Sequence, residues 1–255
     1  MRLLRADELV LSLQASTFRL DELRHSVGTF MLKAFLSLFH KENLLEQALQ
    51  DTTTMLEQTE RMVHAARESL RDTDGTLPDL DIRQMDQVVN RYESEVRRKV
   101  FNHLSMGGKD EVYPSLVLIS IIIDVERVGD YAKNIVELGS EHAPRLRGGP
   151  FEAELARIEG LVVGRLLGEG RAIFRSHDQA AAARLIQDAG WVNPACDRIT
   201  NLLASGQAAV DLPAQTQVAL ALYVRYLKRI NSHWLNILTS LVNPFDRIGF
   251  RRAPQ

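Results

Sequence analysis

Val125-Glu-Arg-Val-Gly-Asp-Tyr-Ala-Lys-Asn-Ile135 is the stretch of sequence that decides the fold. On a helix, where each residue advances by about 100°, its apolar side chains fall on one side together with that of the upstream Ile121. These side chains are Ile121, Val125, Val128, Ala132 and Ile135. Spacings of three and four residues are typical of an amphipathic helix and not of a strand. We therefore predict a helix that begins at Pro114 and ends at about Leu138.

A similar segment, Leu227-Lys-Arg-Ile-Asn-Ser-His-Trp-Leu-Asn-Ile237, occurs in the second half of the chain. The two segments align without gaps and share an arginine, an asparagine and an isoleucine in the same places. Each segment lies in the third predicted helix of its half. This internal repeat indicates two homologous units, each of a size typical for a small domain.

The remaining helices follow from apolar periodicity and from the positions of proline and glycine. In the first half we predict helices over 44–70 and from Asp81 to near Met106. In the second half the predicted helices are 151–174, 178–205 with a break or kink at Pro194, and 214–243. No alternating strand pattern of useful length occurs, which leaves the all-α class. The predicted fold is two tandem three-helix bundles (44–140 and 151–243) with an N-terminal helical extension (1–43), a linker (139–150) and a C-terminal tail (244–255).

Composition narrows the class of protein. The 255 residues include 31 basic and 33 acidic ones, and this balance argues against nucleic-acid binding. The single cysteine, Cys196, excludes a disulfide within the chain and makes the cytoplasm the default location. Neither a signal peptide at the N-terminus nor an apolar run long enough to span a bilayer is recognisable.

The N-terminal extension carries a broad apolar face over residues 17–40, bordered by a narrow polar face with Lys33, Ser37 and Lys41. Two uses of this face remain open. It packs against the bundles, which is the commoner use, or it docks a membrane protein or lies in the membrane interface. For the second use, the candidate partner-binding residues are Phe30, Met31, Phe35 and Phe39.

An acidic stripe runs along the predicted third helix on the side away from its core residues. Glu126, Asp130 and Asn134 form it, and we expect them at or near the bundle surface. Carboxylates at positions i and i+4 repel each other, and a bound cation would relieve that repulsion. Two carboxylates cannot complete a coordination sphere, so a second helix must contribute; its candidates are Asp86, Asn90 and Glu93. The alternative is an ordinary solvated face, since Lys133 and Glu137 share it.

The segment 125–135 resembles the signature helix of the PhoU family of phosphate-uptake regulators, and Asp86-Gln-Val-Val-Asn90 resembles that family's motif on the preceding helix. The resemblance covers residues 44–243. It implies a cytoplasmic, non-catalytic regulator that acts with a membrane phosphate transporter, a sensor kinase or both. It also implies a divalent or trivalent metal ion (iron, zinc, magnesium or manganese) on Glu126, Asp130, Asp86, Asn90, Asn134 and Glu93. Homodimerisation and peripheral association with the inner face of the membrane are left open.

The second half departs from that pattern. Lys228 stands where Glu126 does and Ser232 where Asp130 does, and a charged lysine cannot ligate a metal. We therefore expect metal in the first bundle only, with Lys228 supplying positive charge in the second. Two alternatives remain: a metal-free helical adaptor, and a di-iron carboxylate protein for redox chemistry or metal storage. Glu22-Leu-Arg-His25 gives the second alternative one ExxH motif, whereas such bundles use two.

Overall fold

The computed structural model describes residues 44–74, 80–107, 111–142, 144–206 and 211–250. All regular secondary structure within these ranges is helical, which confirms the all-α prediction. None of the helices in these ranges combines the length and the hydropathy needed to cross a lipid bilayer. The predicted N-terminal extension, with its ExxH motif and the residues Phe30, Met31, Phe35 and Phe39, lies outside the described residues.

The first bundle contains α1 (44–71), α2 (Ile82–Ser105) and α3 (Val112–Glu141). Asp81 caps α2, because its side chain accepts a hydrogen bond from the backbone N–H of Gln84 at 3.0 Å. The third helix starts two residues before Pro114 and continues past the predicted end. A proline in the first turn is tolerated because the N–H it lacks would have no helical partner there.

The second bundle is also built from three helical rods. The first comprises α4 (Glu152–Leu161), a π-helical turn (Val162–Leu166) and α5 (Leu167–Ser176). The second comprises α6 (Gln179–Asp188) and α7 (Val192–Ser205), and the third is α8 (Ala214–Val242). The predicted kink at Pro194 is wrong: the chain breaks earlier, between α6 and α7, and Pro194 lies in the first turn of α7.

Close packing against Trp234 explains the glycine at position 170, in the first rod of the second bundle. A Cβ atom at this position would lie 2.5 Å from the ring of the fully buried Trp234, closer than any carbon contact allows. The glycine therefore lets α5 approach α8 at the level of the indole. What reads in the sequence as a weak helix residue has a packing function here.

The third helices of the two bundles pack against each other in antiparallel fashion. Asp124 Oδ1 on α3 lies 2.7 Å from His233 Nδ1 and 2.9 Å from Asn236 Nδ2 on α8. Further along, the ring of Tyr131 lies 5.9 Å from that of Tyr226 and 5.8 Å from that of His233. One cluster of buried apolar side chains runs through both bundles.

A buried polar network joins the end of α1 to the second bundle. Arg71 Nε lies 2.9 Å from Glu159 Oε1, and the same guanidinium also contacts Glu152 and the carbonyl of Leu146. The hydroxyl of Tyr223 donates to Glu159 Oε1 at 2.6 Å. Part of the segment predicted as a linker is therefore packed: Leu146 is fully buried. The domain boundaries themselves stay a prediction.

Candidate functional site on helices α2 and α3

The two acidic stripes lie along neighbouring helices. We call the six candidate ligands the acidic seam; they are Asp86, Asn90 and Glu93 of α2, and Glu126, Asp130 and Asn134 of α3. An ammonium group links the two stripes: Lys133 Nζ is 3.2 Å from Asp86 Oδ2 and 3.0 Å from Asp130 Oδ1. Lys133 therefore connects the stripe on α2 with the stripe on α3.

The seam is more buried than a helical wheel of α3 alone suggests. The side chains of Glu126 and Asp130 expose only 16% and 24% of their surface, whereas Arg127 between them exposes 51%. The outward face of α3 is taken by Arg127 and Ile123 instead. The stripe therefore lies near the bundle surface but is partly covered, because α2 packs beside α3 on the flank where the carboxylates lie.

Lys133 is the cation that compensates one half of the seam. Burial disfavours its ammonium form, but the hydrogen bonds to Asp130 and Asp86 outweigh this and raise the pKa of Lys133 above its ordinary value. Arg127 adds a second contact, since its Nη1 lies 3.0 Å from Asp130 Oδ2. Asp130 is thus held by two cations, one on each of its oxygens.

Glu126 lies in the half of the acidic seam where negative charge is less fully neutralised by nearby cations. Burial raises the pKa of Glu126 to about 7, and the neighbouring charges of Asp130 and Glu93 act in the same direction. Arg127 opposes them and lowers this pKa, with its Nε 3.5 Å from Glu126 Oε2. Glu93 itself is paired with Arg97 at 2.7 Å. Negative charge at Glu126 is therefore costly in this arrangement, and the group titrates near neutral pH.

The fit of a metal ion to the seam depends on donor chemistry and on geometry. Carboxylate and amide oxygens are the ligands that hard cations prefer. However, among the described residues no three acidic, histidine or cysteine side chains converge as a metal site requires. Lys133 also occupies the position between Asp86 and Asp130. The donor set fits a metal ion, but the arrangement does not, because a cation between these carboxylates would have to displace the ammonium group.

The corresponding edge of the second bundle is also closed by side-chain contacts. Lys228, which aligns with Glu126, forms an ion pair with Asp197 of α7. Asn193 Nδ2 donates to Oγ of Ser232, which aligns with Asp130, at 2.9 Å. A lysine therefore links the second and third rods here as well. The loss of a metal site from this bundle stays a prediction.

Sequence reasoning missed several polar contacts of the described residues. It treated Lys133 as a sign of ordinary surface, although its spacing of three residues from Asp130 was a usable signal for an ion pair. The contact with Asp86 crosses between helices and has no local signal. The same holds for the buried pair of Arg71 and Glu159, which are 88 residues apart in the chain.

Comparison with known proteins relates part of this chain to a known family. Residues 52–139, which contain the whole seam, match the family model for the PhoU domain. The crystal structure of PhoU from Pseudomonas aeruginosa superimposes with a TM-score of 0.69 at 19% sequence identity, covering 79% of this chain and 96% of that chain. No curated protein matches the chain significantly. Residues 52–139 therefore form a PhoU domain, within a chain that has the fold of PhoU.

Proposed function

We propose that this protein is a non-catalytic regulator of phosphate uptake. It acts at the cytoplasmic side of the membrane, where it docks a phosphate transporter or the sensor kinase that reports on phosphate. The observation that carries the proposal is the PhoU domain over residues 52–139, set in two bundles of the PhoU fold. A binding protein of this kind works through its surfaces and needs no reacting group.

The chemistry of the described side chains supports a binding role. Cys196 is the one cysteine of the chain, and burial raises the pKa of its thiol to about 12. A thiol in this state is not a nucleophile at neutral pH. Asp130 of the acidic seam is held in ion pairs with Lys133 and Arg127.

One observation favours a metal-free adaptor as the form that this regulator takes. Lys133 lies within hydrogen-bonding distance of Asp86 and Asp130, so part of the charge that a metal would neutralise is already neutralised. Metal analysis of the purified protein and of a Glu126→Ala/Asp130→Ala variant distinguishes the two forms. Stoichiometric metal that disappears in the variant supports a metal site on the seam. Substoichiometric metal that is equal in both proteins supports the adaptor.

The regulatory proposal is tested by phosphate uptake and by co-purification. In cells grown with ample phosphate, loss of the protein should increase uptake of radioactive phosphate, and the wild-type protein should restore it. The tagged full chain, cross-linked in cells and isolated from solubilised membranes, should carry a phosphate transporter or a sensor kinase. Unchanged uptake together with the absence of both partners would contradict the proposal.

A further inference from the structure

An apolar cleft opens where four helix ends meet, away from the acidic seam. It has a volume of about 340 Å³ and lies among the starts of α1 and α3 and the ends of α5 and α8. Leu49, Val117, Phe174 and Val242 are among its lining residues. A second cleft of about 500 Å³ shares Leu49 and Phe174 with the first and continues along α1 as far as Glu57, where its other lining residues are polar or charged. Together they form a groove beside the first turns of α1.

The rim of this groove leaves apolar surface exposed. Tyr113 lines the groove and exposes 54% of its surface, and its neighbours on the first two turns of α3 are also open to solvent. These neighbours are Val112 at 41% and Leu116 at 40%. Large exposed apolar side chains grouped at neighbouring positions mark candidate contact surfaces.

The chain itself supplies a segment of the right position and chemistry. Residues 1–43 precede α1 directly, and nine of the residues from 27 to 39 are apolar. Only residues 40–43 separate that segment from the start of α1, and four residues span at most about 14 Å. The segment is thus tethered at the mouth of the groove, where so short a connection gives an effective concentration of about millimolar or more.

Length and charge agree with this placement. As a helix, residues 27–39 would extend about 20 Å, which matches the stretch of α1 from Leu45 to Glu57 beside the groove. Glu46 and Glu57 lie along the groove, with Arg175 opposite. Lys33 and Lys41 border the apolar face of the segment, and their long stems allow the ammonium groups to reach such a rim.

We propose that residues 27–43 turn back at the start of α1 and pack their apolar face into the groove lined by Leu49, Val117 and Phe174. The occupant is this chain's own N-terminal segment. A second copy and a membrane surface are the competing occupants. The inference does not depend on the proposed regulatory function.

Hydrogen–deuterium exchange of the full chain tests the proposal from both sides. Phe35→Glu/Phe39→Glu should speed amide exchange several-fold in residues 44–57 and 112–121 and leave the rest of the bundles unchanged. Tyr113→Glu, at an exposed position on the groove, should reciprocally speed exchange in residues 27–43. Val218→Glu is the matched control, since Val218 is 61% exposed on the first turns of α8, at the other end of that helix from the groove.

The competing occupants give different results. Unchanged exchange in the groove peptides of the Phe35→Glu/Phe39→Glu variant would overturn the proposal. Protection that grows with protein concentration would overturn it in favour of a second copy, and protection that requires anionic lipid vesicles would overturn it in favour of a membrane. Concentration-independent protection without vesicles, lost in both groove variants and kept in Val218→Glu, is the expected result.

Discussion

Lys133 of α3 donates a hydrogen bond to Asp86 of α2, with Nζ and Oδ2 3.2 Å apart. The same ammonium group contacts Asp130 at 3.0 Å, so one lysine neutralises charge on two helices of the PhoU domain. The side chains of all three residues are less than one-third exposed, which makes this contact stronger than an ion pair on an open surface. Removal of Lys133 is therefore the most direct test of how charge in the acidic seam is neutralised.

Lys133→Met is expected to lower the free energy of unfolding by about 1–2 kcal/mol, because two partly buried carboxylates lose their shared cation. It should also make unfolding sensitive to divalent cations, since a manganese ion can then enter between Asp86 and Asp130. Urea unfolding with and without manganese chloride measures both effects. Lys133→Arg keeps the charge and should behave like the wild type. Equal cation sensitivity in the wild type and Lys133→Met would contradict the assigned role of the lysine.

Glu126→Gln should change how stability depends on pH. The pKa of Glu126 is raised from an ordinary 4.5 to about 7, so the folded state binds more protons than the unfolded state between those values. The free energy of unfolding of the wild type therefore falls as pH rises through this window, and the cost is full above it. Glutamine removes the cost, and the variant should be more stable by on the order of 1 kcal/mol at alkaline pH. This difference in stability should vanish below the pH window. Urea unfolding of both proteins, at a pH below the window and at a pH above it, measures the effect. A stability difference that stays constant with pH would contradict the prediction.

Arg71→Met should be one of the most destabilising single changes in the chain. The side chains of Arg71 and Glu159 are 6% and 7% exposed, and the substitution leaves the carboxylate buried with a weaker set of partners. Burial, together with the charge of Glu159, also raises the pKa of Tyr223 well above its usual range, so its protonated hydroxyl remains as a donor. Removing one partner of such a pair costs about 3–5 kcal/mol, measured by urea unfolding.

Arg165→Met is the matched control for Arg71→Met. Arg165 forms ion pairs with Glu169 and Asp188, but all three side chains are more than 40% exposed. Exposed pairs contribute about 1 kcal/mol or less, so this variant should resemble the wild type. Similar losses in the two variants would show that the buried network does not join α1 to the second bundle as strongly as its geometry indicates.

The helices could be predicted from sequence because their periodicity is a local property, and α2, α3 and α8 show it over more than twenty residues each. The helical wheel of α3 also placed Glu126 and Asp130 on the same side of the helix, as the structure does. It could not show that α2 covers their flank, because the angle around one helix does not fix the position of its neighbour. Lys133 and Asp86 are 47 residues apart, and only the packing of two helices brings them together. Pro194 was misjudged because a proline in a first turn and one in a helix interior look alike in sequence.

Two glycines in the first rod of the second bundle should respond oppositely to alanine. At Gly170 a new Cβ would lie 2.5 Å from the ring of the fully buried Trp234, so the indole or the backbone of α5 would have to shift. Gly170→Ala should therefore lower the free energy of unfolding by about 1–3 kcal/mol, as overpacking of a core does. At Gly160 a Cβ meets nothing within 4 Å, so Gly160→Ala should stabilise the protein by up to about 1 kcal/mol through helix propensity alone. Thermal unfolding of both variants measures the difference; if Gly170→Ala proved as stable as Gly160→Ala, α5 could not lie against Trp234 as closely as described.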